Sequence, residues 1–284
     1  MLALATGCLT PLPGVFEFET FSDRSAGSAV PVAPPPPSLR GRMEIQAREL
    51  GTTNAPALAA GPHGANGLDP WRTDGVLGVV INDWFAFRAL GGLAYGAPSI
   101  VGTPSVPISS RPAMTGGFGT IFGWWGERDW SVSLELDYML SLLAGTDQYQ
   151  VLNGHCSMGI AIFGGSPLSC SGAPTGEVRN YQGYFAAPNL GATLDGAGWV
   201  APWLRLGASA SLQGIVTRDQ NNAVSWQPVG IVRAFAELHY EDVWLGIEAQ
   251  EGFSDVMLYG PMIAGTFGIA YGDAHRPTHP APAR

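Results

Sequence analysis

Charged side chains recur in this sequence at every second position of otherwise apolar segments. Glu135 and Asp137, for example, alternate with Leu134, Leu136 and Tyr138. Successive side chains of a β-strand point to opposite faces, so this spacing gathers acids and arginines on one face, where they can form charge-assisted hydrogen bonds. These residue types predict a network of ion pairs. Its predicted members are Glu44, Arg48, Arg88, Glu135, Asp137, Arg205, Arg233, Glu237, His239 and Glu248.

One hairpin predicts a specific contact in this network. If the turn at residues 241–242 is tight, Glu248 lies opposite Phe235 and diagonal to both Arg233 and Glu237. Diagonal neighbours on one face of a sheet are within reach of long side chains. We therefore expect a charged pair between Glu248 and its neighbours on the preceding strand.

A second hairpin predicts room for two carboxylates. A register that pairs residue 124 with residue 130 sets Glu135 opposite Gly119 and Asp137 opposite Gly117. Glycine has no side chain, so the two acids would face open space. With both signs of charge on this face, the default prediction is a plug of ion pairs.

The cysteines predict one disulfide bond and no metal site. Cys156 and Cys170 share the longest predicted loop, and an even pair is typical of chains that cross an oxidising compartment. A bridge would close a loop of about 15 residues and contribute roughly 3 kcal/mol in the loop-entropy model. Zinc requires four ligands, and only His155 lies nearby. We expect no metal and no cofactor.

The N-terminus combines a short anchor-like motif with a proline-rich segment. Residues 2–8, ending in Cys8, are similar to the end of a bacterial lipoprotein signal peptide, although Ala5 stands where Leu is usual. Lipidation of Cys8 is one interpretation, and an incidental cysteine is the other. Residues 9–38 form a leader that favours polyproline II and predicts a semi-rigid spacer. Residues 14–20 could instead add a strand or a plug.

Composition excludes several classes of protein. The chain has 284 residues, a net charge of −9, 39 glycines and 13% charged residues, and all 14 of its basic side chains are Arg. A nucleic-acid partner is not expected, because phosphate binding needs clustered cations. No window predicts a transmembrane helix, which needs about 20 mostly apolar residues. A closed β-barrel is the other structure that spans a bilayer.

Period-2 alternation from residue 39 onward predicts ten antiparallel strands, with eight or twelve as alternatives. Short turns are predicted at 82–83, 125–129, 195–198 and 241–242, and long loops at 51–74, 96–112, 144–178, 215–226 and 254–261. Pro188 predicts a bulge or an edge. The predicted strands are 39–50, 75–81, 84–95, 113–124, 130–143, 179–193, 199–214, 227–240, 243–253 and 262–271.

Tryptophans flank the predicted short turns. Aromatic side chains concentrate at both interfaces of a membrane, whereas a soluble sandwich has no reason to gather them at one end of each hairpin. We therefore predict an aromatic girdle at the short-turn end. Its members are Trp84, Trp124, Trp125, Trp130, Trp199, Trp203 and Trp244.

These features together resemble small bacterial outer-membrane β-barrel proteins of Gram-negative cells. The resemblance covers about residues 39–272 and includes Tyr271, an aromatic residue that ends the last strand. It implies an all-β, up-and-down barrel in the lipid bilayer of the outer membrane, expected as a monomer, with periplasmic termini and extracellular long loops. Residues 1–8 would be a residual signal, and 273–284 a disordered tail.

Three functions are compatible with such a barrel. A structural or surface-interaction role with a filled lumen is the main hypothesis, and a narrow porin-like or uptake channel is the alternative. A third is a surface protease or lipid hydrolase similar to the omptins, which carry paired Asp and a His–Asp pair. In this sequence His239 and Asp242 lie by a short turn, and Asp147 and His155 have no matched partners. We therefore expect no catalytic residues and no enzyme activity.

Overall fold

The computed structural model describes residues 9–11, 15–27, 32–39, 41–52, 71–95, 99–101, 112–125, 130–159, 168–218, 224–253 and 261–272. Among these residues, no helix is long and apolar enough to cross a membrane. The strands in the described part of the chain are β1 Leu9–Pro11, β2 Phe16–Gly27, β3 Met43–Thr52, β4 Trp71–Asn82, β5 Phe85–Tyr95, β6 Ser99–Val101, β7 Ala113–Trp124, β8 Trp130–Gly159, β9 Leu168–Ala201, β10 Leu204–Arg218, β11 Val224–Tyr240, β12 Val243–Phe253 and β13 Met262–Tyr271.

Ten of these strands close into an antiparallel barrel. Strands β3, β4, β5 and β7 to β13 each pair with the next in chain order, and β13 pairs back with β3. The prediction of a ten-stranded, all-β barrel is therefore confirmed. The observed bounds of β7, β12 and β13 coincide with the predicted ones.

Side chains of the barrel alternate between an apolar outer surface and a polar interior. On β8, Leu134, Leu136 and Leu140 are 40% or more exposed, whereas Glu135 and Asp137 between them are buried. This is the inverse of a soluble protein, in which acids are rarely buried and large apolar patches are rarely exposed. The charged residues therefore form the core of the barrel.

The two ends of the barrel differ in their connections. Residues 83–84, 125–129, 202–203 and 241–242 join strands at one end, the short-turn end. The other end, the long-loop end, carries the remaining connections. The predicted turn at 195–198 is wrong, since β9 continues to Ala201 and turns at 202–203. Its glycines suggested a turn, but Asp195 points inward and bonds to Arg233.

Strands β8 and β9 continue far beyond the barrel wall at the long-loop end. Residues 145–158 of β8 pair with β9 on one side and with β1 and β2 on the other, and together they form the protruding sheet. Residues 144–178 were predicted as a loop, but most of them belong to these strands. A disulfide bond joins Cys156 to the directly opposite Cys170.

The chain passes through the barrel before its first barrel strand. Strand β2 runs toward the barrel mouth, because Phe16 pairs with Gly154 and Ala26 with Gly145. Residues 32–39, here called the lumenal segment, are all buried and end near the start of β3 at the short-turn end. The proline-rich residues of the predicted semi-rigid spacer that the structure describes, 32–38, therefore lie inside the barrel. Proline runs cannot join a sheet, but their carbonyl oxygens still accept hydrogen bonds.

The observed registers agree with one prediction and differ from another. Glu248 lies opposite Phe235, as the tight turn predicts. On the β7–β8 hairpin the register is two residues from the predicted one, so that Asp137 lies opposite Gly119 and Glu135 opposite Ile121. Trp125, the residue that follows β7, lies inside the barrel.

Candidate functional site: the occupied lumen

Polar side chains of the barrel wall bind four consecutive carbonyl groups of the lumenal segment. Arg48 donates to the carbonyl oxygen of Ala33 at 2.9 Å, and Arg233 donates to that of Pro34. Arg88 donates to the carbonyl oxygen of Pro35 at 2.6 Å, and Gln46 to that of Pro36 at 3.1 Å. The wall therefore holds the segment through its backbone.

The positions of these donors fit a polyproline II helix. Such a helix has three residues per turn and a rise of about 3.1 Å, so carbonyl groups three residues apart point in one direction. The oxygens of Ala33 and Pro36 are three apart, and both are bound from β3, by Arg48 and Gln46. The two intervening oxygens are bound from β11 and β5. Eight residues of this conformation span about 25 Å, similar to the apolar band of such barrels.

The N–H groups of Ala33, Ser38 and Leu39 donate to amide and carboxylate oxygens of the barrel wall. The N–H of Ala33 donates to Oε1 of Gln250 at 3.2 Å. Beyond the prolines, the N–H and the hydroxyl of Ser38 donate to Oε2 of Glu44 at 3.0 and 2.9 Å, and the N–H of Leu39 donates to the same atom. The four prolines between them have no N–H. Donors and acceptors of the wall thus match those of the segment.

Apolar contacts hold both ends of the lumenal segment. Val32 and Ala33 pack in a cluster with Leu50, Ile231 and Met262 near the long-loop end. At the short-turn end, Leu39 packs in a second cluster. Its partners there are Ala86, Ile121 and Trp125. The polar contacts in the middle of the segment are therefore enclosed on both sides by apolar layers.

Arg48 and Arg233 also join carboxylates on neighbouring strands. Arg48 bonds to Asp74 through two nitrogens and to Glu248 at 2.7 Å. Arg233 bonds to Asp195 at 2.5 Å and lies 3.7 Å from Glu248. The predicted proximity of Glu248 to Arg233 is thus observed. These hydrogen bonds fix the two guanidinium groups in the orientation that binds the lumenal segment.

Arg88 is held by a bidentate pair with Glu135. The carboxylate of Glu135 occupies space above Gly119, where any Cβ atom would overlap it. Gly78, Gly92 and Gly191 leave comparable room for Glu44, Asp74 and Asp137 respectively. Glycines on the inner face of the wall therefore make space for the buried acids. Glu135 lies above the predicted Gly119, whereas Asp137 lies above Gly191 rather than Gly117.

A third cluster lies near the short-turn end. Arg205 donates to Glu237 at 2.9 Å, and the same carboxylate oxygen is 2.9 Å from Nε2 of His239. The His239 ring contacts Trp199 at 4.7 Å and stacks on Trp244 at 5.7 Å, measured between ring centroids. His239 is therefore part of the packed interior.

The predicted girdle divides into two groups. Trp84, Trp124, Trp130 and Trp203 are exposed on the outer surface. Trp125 and Trp244 lie inside instead, at 6% and 1% exposure, and the ring of Trp199 faces the lumenal His239. Position next to a turn indicates that an aromatic side chain is near the barrel end, but it does not determine which face the side chain occupies.

All ten predicted network residues lie inside the barrel, each at most 6% exposed. Asp74, Arg72 and Asp195 also belong to this network but were not among its predicted members. Asp74 and Arg72 fell in a predicted loop because β4 begins at Trp71, and Asp195 fell in a predicted turn. The available signal was that Leu77 and Val79 alternate with Asp74, Val76 and Gly78, which places Asp74 on the face opposite the two exposed apolar residues.

A cavity of about 40 Å³ remains beside the lumenal segment. Its polar lining includes Thr115, Asp137, Ser141, Asn189 and Gln213. Oδ1 of Asp137 and Oδ1 of Asn189 accept no hydrogen bond from the described residues. This cavity can hold a few water molecules, since each needs roughly 10–15 Å³ of such volume and several polar partners.

Some expectations concern residues outside the described part of the chain. Cys8, the 1–8 segment and the 273–284 tail are among them. Within the described residues, no group of three or more His, Cys, Asp or Glu side chains is arranged to hold a metal ion.

A closed antiparallel barrel with an apolar outer surface and a polar interior is the architecture of transmembrane β-barrels. This chain has the architecture of an outer-membrane β-barrel, and its interior is a buried ion-pair network.

Three solved structures with a similar fold are each at most 11% identical to this chain. An outer-membrane channel from Pseudomonas putida F1 is 11% identical, with a TM-score of 0.42, over 85% of this chain and 100% of that one. LpxR from Salmonella typhimurium is 10% identical, with a TM-score of 0.36, over 80% and 100%. The translocator domain of the autotransporter NalP from Neisseria meningitidis is 10% identical, with a TM-score of 0.37, over 88% of each chain. No protein-family model and no curated protein matches the sequence.

Proposed function

We propose that this protein is a closed surface-interaction barrel, whose lumen does not conduct and whose protruding sheet contacts a partner. The observation that carries the proposal is the occupied lumen. Wall side chains bind the lumenal segment from Ala33 to Leu39, and the arginines among them are themselves fixed by buried carboxylates. A ten-stranded barrel has a narrow interior, so a segment held in this way closes it.

The proposal places the long-loop end outside the cell. Outer-membrane barrels have short periplasmic turns and longer extracellular loops. The protruding sheet extends from that end and is stabilised by a disulfide bond, as is typical of exported proteins. It carries the exposed rings of Phe21 and Tyr181, which contact the half-buried ring of Tyr149 at centroid distances of 5.8 and 5.5 Å. These features support a role in contact rather than in transport.

A narrow channel is the second candidate, and the cavity beside the lumenal segment favours it. The cavity is polar and is lined by groups from several strands. If the segment shifted, this space would widen into a water path. The two candidates therefore differ in whether the segment stays in place at rest.

The proposal assigns no enzymatic role. Asp147 and His155 lie eight residues apart on β8, a separation of about 26 Å at strand geometry. His239 and Glu237 are buried with Arg205 at the short-turn end. Neither arrangement presents a His–Asp pair at the exposed rim.

Conductance of the refolded protein in a planar bilayer tests the proposal. Different gel mobilities of boiled and unboiled samples first establish that a barrel has formed. We expect no discrete current steps from the wild type. We expect steps from the double variant Arg88→Gln and Arg233→Gln, which removes two arginines that bind carbonyl oxygens of the lumenal segment. Discrete steps from the wild type, altered in size or ion selectivity by Glu248→Gln, would contradict closure and support the channel.

A further inference from the structure

The hydrogen-bond donors and acceptors that bind the lumenal segment fit one type of peptide sequence. Along the prolines the wall supplies donors, from Arg233, Arg88 and Gln46. At the flanking residues, which have N–H groups, it supplies the acceptors Gln250 and Glu44. An isolated N–H buried without an acceptor costs about 1–3 kcal/mol. The wall therefore matches a run of prolines flanked by residues with N–H groups.

The contacts are directed at the backbone rather than at proline rings. Many proteins that recognise polyproline II helices do so with grooves of aromatic side chains that pack on the rings. Here guanidinium groups bind successive carbonyl oxygens, and the two oxygens bound from β3 are three residues apart. Any segment with this helix and this pattern of N–H groups presents the same surface to the wall.

We propose that the lumen is a recognition site for proline-rich, extended peptide, and that residues 32–39 are its resident ligand. When the resident segment is withdrawn, the site takes a segment of the same class from another molecule. The inference deepens the proposed closure and rests on it. In the wild type the tethered segment excludes competitors, since a short tether gives an effective concentration in the millimolar range.

The test uses the full chain with its resident ligand weakened. The combined substitutions Pro34→Gly, Pro35→Gly, Pro36→Gly and Pro37→Gly introduce N–H groups and flexibility into the lumenal segment. A milder variant, with only Pro35→Gly and Pro36→Gly, serves if the fourfold variant does not give a heat-modifiable barrel. The probe is a fluorescent peptide of sequence Val-Ala-Pro-Pro-Pro-Pro-Ser-Leu, followed by fluorescence anisotropy in detergent.

We expect saturable binding to the glycine variant and none to the wild type. A peptide with alanines in place of the four prolines should bind at least about tenfold more weakly. Adding Arg88→Gln to the glycine variant should weaken binding of the proline peptide. Adding Arg42→Gln, a substitution at an exposed residue just before β3, should leave binding unchanged.

Two outcomes would overturn the inference. One is a heat-modifiable glycine variant that does not bind the proline peptide. The other is equal binding of the proline and alanine peptides. Conductance of the wild type is measured separately, so a closed barrel that fails to bind peptide removes this inference and leaves the proposed function in place.

Discussion

Single residues of the inner wall have two tasks, to bind the lumenal segment and to neutralise one another. Arg48 does both, because the nitrogen that bonds to Ala33 also bonds to Glu248. Removing one partner of a buried ion pair typically costs 3–5 kcal/mol, because the remaining charge is left without compensation. Substitutions inside this network should therefore have large effects on stability.

The first prediction concerns the space above Gly119. Gly119→Ala places a methyl group against the carboxylate of Glu135 and should lower the free energy of unfolding by about 1–3 kcal/mol through overpacking. Gly116→Ala on the same strand is the control, since no atom lies within 4 Å of its added Cβ. Urea unfolding in detergent, followed by tryptophan fluorescence, measures both. Equal effects would show that Glu135 does not need this space.

The second prediction concerns the pair between Arg233 and Asp195. Arg233→Gln leaves Asp195 buried without its cation and should cost about 3–5 kcal/mol of unfolding free energy. Adding Asp195→Asn should recover part of this loss, as a double-mutant cycle measures. Arg42→Gln, at an exposed residue just before β3, is the control and should have little effect. Strictly additive single effects would contradict direct coupling.

Elements of the barrel were predictable where alternation is regular. The bounds of β12 and β13 and the opposition of Glu248 to Phe235 follow from parity and a two-residue turn. Pro188 was predicted to mark a bulge or an edge. In β9 it pairs with Leu140 of β8, whereas the pairing of β9 with β10 ends at Gly191, so Pro188 lies on a free edge of β9 within the described pairings.

Contacts between segments far apart in the sequence were not predictable. The path of residues 32–39 depends on donors from three strands, and alternation along one segment contains no information on what lies across the lumen. The same holds for the pairing of β2 with β8, whose paired residues are more than 100 positions away in the chain. A proline run favours one backbone conformation, but this preference is equally satisfied in water and inside the barrel.

The third prediction concerns the attachment of β2 to the protruding sheet. Arg179 on β9 bonds to Glu19 at 2.8 Å, and Tyr181 bonds to the same carboxylate. The hydrogen bond from Arg179, followed by that from Tyr181, holds the pKa of Glu19 below its ordinary value of 4.5. This contribution is fully present above the unfolded pKa and is lost as the pH falls through the lower, folded value.

Hydrogen exchange of residues 16–27 at different pH values measures this attachment. After correction for the intrinsic exchange rate, protection should be constant above about pH 5 and should decrease below about pH 4. Glu19→Gln should reduce the pH dependence, whereas Glu251→Gln, on β12, should not. A wild-type profile that Glu19→Gln leaves unchanged would assign the pH dependence to other groups.

At the scale of the whole molecule, the lumenal segment separates the two ends of the described chain. Strands β1 and β2 lie at the long-loop end, whereas β13 ends at the short-turn end beside Met43. The expectation that both termini lie in the periplasm concerns residues outside the described part of the chain. Because the segment crosses the barrel, β1 and β2 lie at the long-loop end and form part of its surface.

The last prediction tests this path through the barrel and does not depend on which end faces the cell exterior. Cysteines are introduced singly, in a Cys8→Ser background, by Val15→Cys and Pro202→Cys. Val15 is exposed beside β2, and Pro202 is exposed in a short turn. In intact cells a membrane-impermeant maleimide should label one of the two and not the other, and disruption of the outer membrane should expose both. With extracellular long loops, Val15→Cys is the accessible site. Labelling of both sites in intact cells, or of neither until disruption, would mean that they lie on one side of the membrane and that the segment does not cross the barrel.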